Sequence, residues 1–464
     1  MGGMERTLAL ETTKKVGEKV ILFGWVNSRR DHGKVVFIDL RDRSGLVQVV
    51  IRAFDGELHG EDVVQVEGKV AYRKKGNENP DLPTGSVEVV AEEIEVLAKS
   101  ETPPFDVHSQ GLDIDEALRL KYRYLDLRRP RLQRNLRVRS DYVQAAREYL
   151  FGQSFVEIET PLLTKSTPEG SRDFIVPSRI YPGKFYALPQ APQQYKQLLM
   201  TAGFERYFQV ARALRDEDTR ADRGFEHTQI DIEMSFVSPE DVMKTVEGMT
   251  LYALDKIGAK VAKKPFPVFT YKEVMKRFGS ERFDLRSEKE KKDGVLSFAW
   301  VVEFPFFEKN KEGSWTFTHN PFSAPTDKAH EKLLLEKKRI GEIIASQYDL
   351  VCNGLEVAGG SIRSNKPEVL KSVFEVLGYG EEEIEEKFGH MIEAFRFGTP
   401  PHGGCAQGFE RLLMAYLGED YLREVQAFPM TGSGRTAVMD APSEVSEKQL
   451  RELGIEVRKK RKKK

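Results

Sequence analysis

Cysteine is scarce in this chain: 464 residues contain two, Cys352 and Cys405. Two cysteines exclude a disulfide framework and a four-cysteine metal site. No apolar stretch reaches membrane-spanning length. The N-terminal MGGMERTLALETTKK lacks the apolar run of a signal peptide. Glycine follows the first methionine, but Arg6 stands where a myristoylation motif wants serine or threonine. Excess charge is also missing, the formal net charge being -1. Bulk charge therefore announces no nucleic-acid partner, although local patches can still steer one. These absences predict a reduced, soluble, cytoplasmic protein without membrane contact, long enough for two or three domains.

What is present falls into regions. Residues 17 to 99 read as five valine-rich strands: KVILFGWVNSRR, VVFIDLRDRSG, LVQVVIRAF, DVVQVEGKVAYR and VEVVAEEIEVLA. Five short strands suit a small antiparallel barrel of the oligonucleotide-binding (OB) kind. Asn27 to Lys34, which includes Arg29 and His32, reads as a basic inter-strand loop. Phe37 and Gln48 sit on the strands that follow. An aromatic ring can stack an unpaired base and a glutamine can read its edge, while core packing is the alternative for Phe37. The stretch from Thr102 to Pro130 is a connector whose end, KYRYLDLRRP, could lie against phosphates or brace two domains. A helical period then begins with Leu132, Leu136, Val143, Ala146 and Leu150. In KFYALPQAPQQYKQLLM, strand and turn lead into a helix on which Gln193 and Lys196 face the same way. The tail RKKRKKK reads as disordered, either solubilising or touching nucleic acid.

The segment RALRDEDTRADRGFEHTQIDIE crowds both signs of charge into one place. Ile230, Ile232 and Met234 alternate with Gln229, Asp231 and Glu233, the period of a half-buried strand. Two carboxylates on one strand face repel unless a cation sits between them. Further on, Asn353-Gly354 reads as a hairpin turn that places Asp349 and Glu356 on one face of adjacent strands.

Several strings in order, TKSTPEGSRDF, KFYALPQAPQQYKQLLM, LRDED, TQIDIEMSF, GLEVAGGSIR and GFERL, resemble the aspartyl-tRNA synthetases, class II enzymes with an N-terminal anticodon-binding barrel. The likeness covers nearly the whole chain. It implies an α+β chain: an OB-fold anticodon-binding domain at residues 1–104, a hinge at 105–130, a class II catalytic domain at 131–457 built as an antiparallel sheet flanked by helices, and the basic tail at 458–464. It implies a homodimer with Pro161 at its interface. The implied reaction joins L-aspartate to ATP and passes the aspartyl group to the 3′-terminal adenosine of tRNA(Asp). By the same resemblance, Arg215 and Arg411 are catalytic and hold the α- and γ-phosphates. Glu217, His227, Gln229 and Glu356 join them at ATP, and Asp349 with Glu356 holds Mg²⁺. Glu169, Gln193 and Asp231 meet the ammonium of aspartate, Lys196 and Arg363 meet its side-chain carboxylate, and Glu233 lies behind them. Arg29, His32, Phe37 and Gln48 contact tRNA. For any one of these residues the alternative is a surface charge or a structural ion pair.

The chain departs from the family in places. His227 stands where phenylalanine is usual, and His319-Asn320 replaces a tandem histidine near the substrate carboxylate. A short charged link, Arg286 to Gly294, stands where bacterial members carry a large inserted domain. His32 is either a solvated loop residue or a mark of the relaxed type that also charges tRNA(Asn). An asparaginyl- or lysyl-tRNA synthetase of the same subgroup, or a non-catalytic nucleic-acid-binding paralogue, are the rival readings.

Overall fold

The structure, a computed structural model, describes residues 5–33, 35–52, 56–167 and 169–458. Most of the basic tail and Lys34 therefore lie outside the described residues. The chain divides into two compact units that meet in sequence between Val107 and His108.

In the first unit, valine-rich alternation folds as expected. Strands β1 (Lys19–His32), β2 (Val35–Asp42), β3 (Gly45–Ile51), β4 (Val63–Tyr72) and β5 (Val87–Ala98) close into a barrel in the order β1-β2-β3-β5-β4. Val20, Leu22, Val26, Ile38, Leu40, Val47, Val49, Val64, Val66 and Val89 fill it. Two expectations are corrected. The barrel is not wholly antiparallel, because β3 and β5 pair in parallel through Val49 and Val89. Asn27 to His32 is not a loop: β1 continues to His32, which pairs with Val35. Polar residues there misled the reading because Arg29 to His32 are exposed, so nothing selects apolar side chains at that strand end.

The second unit is built on an eight-stranded sheet. Its strands include β6 (Val156–Glu157), with β7 (Ile175–Pro177) and β8 (Phe185–Ala187) forming a separate ribbon. Then come β9 (Arg206–Leu214), β10 (Glu226–Ser235), β11 (Val268–Thr270) and β12 (Phe298–Val302). A second ribbon pairs β13 (Phe307–Lys309) with β14 (Trp315–Phe317), and β15 (Gln347–Cys352), β16 (Leu355–Ile362) and β17 (His402–Gln407) complete the sheet. Its order is β11-β12-β15-β16-β17-β10-β9-β6. The six central strands are antiparallel, and the edge strands β11 and β6 pair in parallel.

One face of this sheet is the core. Helix Pro130–Gly152 begins on a proline, which needs no intrahelical partner for its missing N–H. Its Tyr142, Ala145, Ala146 and Leu150 pack with Val242 and Val246 of helix Pro239–Lys256 and Leu412 of helix Phe409–Leu417 against Ile230, Ile232 and Trp300. Strand β10 is buried on both faces, not on one as its alternation suggested. Its polar face is covered by the site described below.

The connector is part of the second unit from His108 onward. Its arginines Arg119, Arg123 and Arg129 join a charge network within that unit. Asp126 accepts from Arg123 Nη1 at 2.6 Å, Arg129 Nε at 2.6 Å and Arg119 Nη1 at 3.3 Å. Glu424 takes Arg119 at 3.0 Å and Arg131 at 2.9 Å. Arg123 and Asp126 are fully buried. Removing one member of a buried charge network strands the others. Asp126→Ala should therefore lower the unfolding free energy by about 3–5 kcal/mol. Denaturant titration checks this, and a loss below about 1 kcal/mol would mean that the network is solvated.

Candidate active site

A cavity of about 260 Å³ opens on the polar face of the sheet. Its floor is β10, β15, β16 and β17, and its walls carry Gln193, Lys196, Arg215, Glu217, His319, Asn320 and Arg411. Four buried charges organise one end. Lys196 Nζ lies 2.6 Å from Asp231 Oδ1 and 3.2 Å from Glu233 Oε2. Arg363 donates to Glu233 through Nε at 3.0 Å and Nη2 at 3.2 Å, and through Nη1 to Ser361 Oγ at 2.8 Å. Lys196, Asp231, Glu233 and Arg363 are at most 3% exposed.

Two positive and two negative groups leave the cluster neutral, but its members differ. Burial pushes the Asp231 carboxyl up, and Lys196 offsets this only in part. Burial pushes Glu233 the same way, yet Arg363 and Lys196 outweigh it and hold Glu233 below the usual carboxylate value. Glu233 is thus a fixed anion that aims Arg363. The close fit requires glycine at position 404, where a Cβ would stand 2.0 Å from Glu233 Oε2. The cluster keeps unused hydrogen-bonding capacity on the cavity side. Asp231 Oδ2 is a buried acceptor without a partner. Lys196 and Arg363 retain N–H donors beyond those that Asp231, Glu233 and Ser361 engage.

The other end of the cavity is arranged around arginines. Arg215 Nε donates to the Gln190 carbonyl at 3.2 Å. Arg411 Nε lies 3.2 Å from Asp222 Oδ2, and its Nη1 donates to the Glu356 carbonyl at 3.3 Å. Glu217 accepts from Arg223 at 2.7 Å and from Ser171. His227 is half-buried beside these arginines. Desolvation, reinforced by Arg215, Arg411 and Arg212, pushes its imidazole down to about 3. The ring is therefore neutral at pH 7 and presents a flat face without a charge. Gln229 is buried next to it, with Nε2 unpaired.

Asp349 and Glu356 both line the cavity, on strands joined by the turn at Asn353-Gly354. The hairpin is as expected next to the turn, where Val351 stands against Glu356, and a bulge then sets Leu350 against Ala358 rather than Val357. Asp349 accepts from Gln347 Nε2 at 2.7 Å and sits 3.4 Å from His319 Nδ1. Burial, with Glu356 nearby, holds its carboxyl well above the usual range, although His319 pulls it down. Among the described residues no three histidines, cysteines or carboxylates gather as a cation cage. Two carboxylates are nonetheless what a Mg²⁺ ion uses when most of its ligands are water and substrate phosphates. The acidic pair fits such an ion, with Arg282, now 2.7 Å from Glu356 Oε2, giving up its place to the metal.

Most of the expected substrate residues thus meet in one cavity: Gln193, Lys196, Arg215, Glu217, His227, Gln229, Asp231, His319, Asp349, Glu356, Arg363 and Arg411. Glu169 does not. It lines an adjoining cavity of about 270 Å³, accepting from Gln194 at 2.9 Å and Thr167 at 3.1 Å. Sequence reading overlooked Gln347 and Ser361. Each lies two residues from a site residue on the same strand face, so the period-two rule would have found them. Asp222 and Arg223, which hold Arg411 and Glu217, come from an irregular loop that gives no periodic signal.

On the barrel, neighbouring strands carry the expected RNA contacts. Register pairs Arg30 with Phe37, Phe37 with Val50, and Asp39 with Gln48. Phe37 lies outside the barrel core, half-buried, with the exposed His32 ring edge-on at 5.6 Å. Gln48 is 9% exposed and donates to Glu88 at 2.9 Å. Arg29 lies on the neighbouring face. A bulge after Val26 turns it opposite Ile38, and it donates to the Leu58 carbonyl at 2.6 Å. Arg30 is the arginine that shares a face with Phe37 and Gln48.

Comparison with known proteins adds the following. Residues 115–432 match the family of tRNA synthetases class II (D, K and N), and residues 20–97 match the OB-fold nucleic acid binding domain. The chain is 41% identical to the aspartate–tRNA(Asp/Asn) ligase of Caldanaerobacter subterraneus, covering 98% of this chain and 99% of that one. It is 40% identical to the ligase of the same name from Rubrobacter xylanophilus, over 95% and 94%. The first alignment spans 590 positions against 464 residues here, so that relative carries segments without a counterpart. Among solved structures, the asparaginyl-tRNA synthetase of Pyrococcus horikoshii with asparaginyl-adenylate superposes with a TM-score of 0.74 at 23% identity, over 92% of this chain and 99% of that one. The aspartyl-tRNA synthetase of Entamoeba histolytica gives 0.72 at 22%, over 92% of each. At such identities these two share the fold.

The depressed His227 value makes a prediction. By NMR, the His227 ring in the free protein should show no titration between about pH 5 and 8, unlike an exposed histidine. A midpoint near 6.5 would mean that the ring is solvated and that neither burial nor the arginines depress it.

Proposed function

From a chain that belongs to the class II tRNA synthetases of the D, K and N group, ATP-dependent aminoacyl-tRNA ligases, we infer an aspartate–tRNA ligase. It joins L-aspartate to ATP as aspartyl-adenylate, releases pyrophosphate, and passes the aspartyl group to the 3′-terminal adenosine of tRNA(Asp). The observation that carries this is the unused capacity of the buried charge cluster. Asp231 Oδ2 offers an acceptor to an α-ammonium, and Lys196 and Arg363 offer donors to a side-chain carboxylate. A neutral side-chain amide would leave one of those charged donors facing an N–H, so asparagine is disfavoured. The asparaginyl and lysyl readings have no use for that pair of cations.

The remaining groups have work suited to their places. Arg215 holds the α-phosphate, where negative charge grows as the aspartate α-carboxylate attacks, and Arg411 holds the γ-phosphate. The neutral His227 ring stacks the adenine, with Gln229 beside it, and Glu217 accepts from its amino group. Asp349 and Glu356 hold Mg²⁺, which when bound neutralises phosphate charge. Glu169 takes part only if its loop leaves the adjoining cavity. On the barrel, Phe37 stacks an anticodon base and Gln48 reads another. His32 beside Phe37 supports charging of tRNA(Asn) as well, since its ring can stack or hydrogen-bond a base that leucine would leave unpaired. The protein works as a cytoplasmic homodimer.

An ATP–pyrophosphate exchange panel with twenty amino acids tests the amino acid. Aspartate should exchange fast and asparagine near background, and preferential exchange with asparagine or lysine would sink the assignment. Aspartylation of both tRNA transcripts then tests the acceptor. The wild type should charge both, and His32→Leu should lose tRNA(Asn) while retaining tRNA(Asp).

A further inference from the structure

Two rows of residues cross the cavity floor. Asp231, Ala406, Gly359 and Asp349 stand opposite one another in the first. Glu233, Gly404, Ser361 and Gln347 form the second. Strands lie about 4.8 Å apart, so each row spans roughly 14 Å between its end Cα atoms. The middle positions are small, and the long polar side chains at the ends face each other across a shallow trough. Three of the four ends have roles above. Gln347 has none.

Gln347 is 6% exposed and lines the cavity. Its Nε2 donates to Asp349 Oδ1 at 2.7 Å, while its Oε1 is buried without a partner. An unpaired buried acceptor costs about 1–3 kcal/mol. A ligand that brings a donor removes that cost. Oε1 and Nε2 share one amide carbon, so the orphan oxygen is beside whatever Asp349 holds. Two donors compete for it. The α-ammonium of the amino acid is one, but Asp231 and its own orphan oxygen stand three strands away, and one ammonium cannot serve both. Water on a metal ion is the other. Mg²⁺ keeps several waters, and their protons point outward from the ion.

We propose that Gln347 is a positioning residue for the metal site: Nε2 fixes the Asp349 carboxylate, and Oε1 accepts a hydrogen bond from a water on the Mg²⁺ ion. This rests on the reading of Asp349 and Glu356 as the metal carboxylates. Groups that orient metal ligands are worth about 10–100-fold in metal affinity. The test uses Mn²⁺ as the probe, with a non-hydrolysable ATP analogue, followed by electron paramagnetic resonance without any turnover. Gln347→Met keeps the length of the side chain, and Gln347→Ala guards against a misfit of the first variant. Both should raise the Mn²⁺ dissociation constant by roughly ten- to hundredfold. At saturating metal the aspartate KM should stay near wild type, and excess Mg²⁺ should restore the exchange rate. Wild-type Mn²⁺ affinity in both variants would overturn the proposal. So would a raised aspartate KM at saturating metal, which would put Gln347 at the amino acid, and so would a wild-type protein that binds no Mn²⁺ with the analogue. Failure of the aspartate reading would appear separately, as a wrong amino acid in exchange with Mn²⁺ binding intact.

Discussion

The charge of Glu233, fully buried beneath the cavity floor, is the constraint on which the site depends. A lone buried carboxylate would be neutralised by protonation. Here the two cations Arg363 and Lys196 keep it charged, and in return it fixes where both of them point. Asp231 completes the neutral set, and its charge is the less secure because burial outweighs Lys196 there and Glu233 adds a like charge. The cluster therefore stands assembled without substrate. In the proposed function, aspartate adds its ammonium and its side-chain carboxylate to a set that already has a place for each sign.

Such a cluster needs a sheet with one apolar and one polar face, both buried. Strand β10 supplies this by alternation. Ile230, Ile232 and Met234 enter the core, while Gln229 and Asp231 line the cavity and Glu233 lies buried beneath its floor. The neighbouring strands give room. Gly404 lets Glu233 approach the backbone, and Gly359 leaves Asp349 Oδ1 about 3.0 Å from where a Cβ would be. The trough is therefore made by what the middle strands lack. The same sheet places the arginines from outside it: Arg215 just past the end of β9, Arg411 in the first turn of helix Phe409–Leu417.

Regular elements were legible in the sequence because their periods are strict. The five barrel strands, the β10 alternation and the hairpin at Asn353-Gly354 follow from period two and turn chemistry. What failed was local context. The polar end of β1 read as a loop because its strand geometry is imposed by pairing with β2, not by its own composition. Arg29 and Arg30 are adjacent, and a bulge decides which of them faces Phe37. The arginines around KYRYLDLRRP read as phosphate contacts or a brace between domains, yet Arg119 and Arg131 bond Glu424 and Glu419, and Arg123 bonds the Arg423 carbonyl, all about 300 residues downstream. No local pattern reports such a pairing. Glu169 lies on an irregular loop, and sequence gives its identity without its position.

In the proposed function Arg363, aimed by Glu233 and Ser361, reads the side-chain carboxylate of aspartate. The most direct measurement is the ratio of kcat/KM for aspartate to that for asparagine in pyrophosphate exchange, for wild type and Arg363→Lys. Lysine keeps the charge and loses the planar fork. The account predicts that kcat/KM for aspartate falls by about 30-fold or more, in line with losses of 2–5 kcal/mol for a desolvated charged pair, while asparagine is little changed, so the ratio collapses. A ratio equal to that of the wild type would contradict it, because the guanidinium would then take no part in telling the two substrates apart.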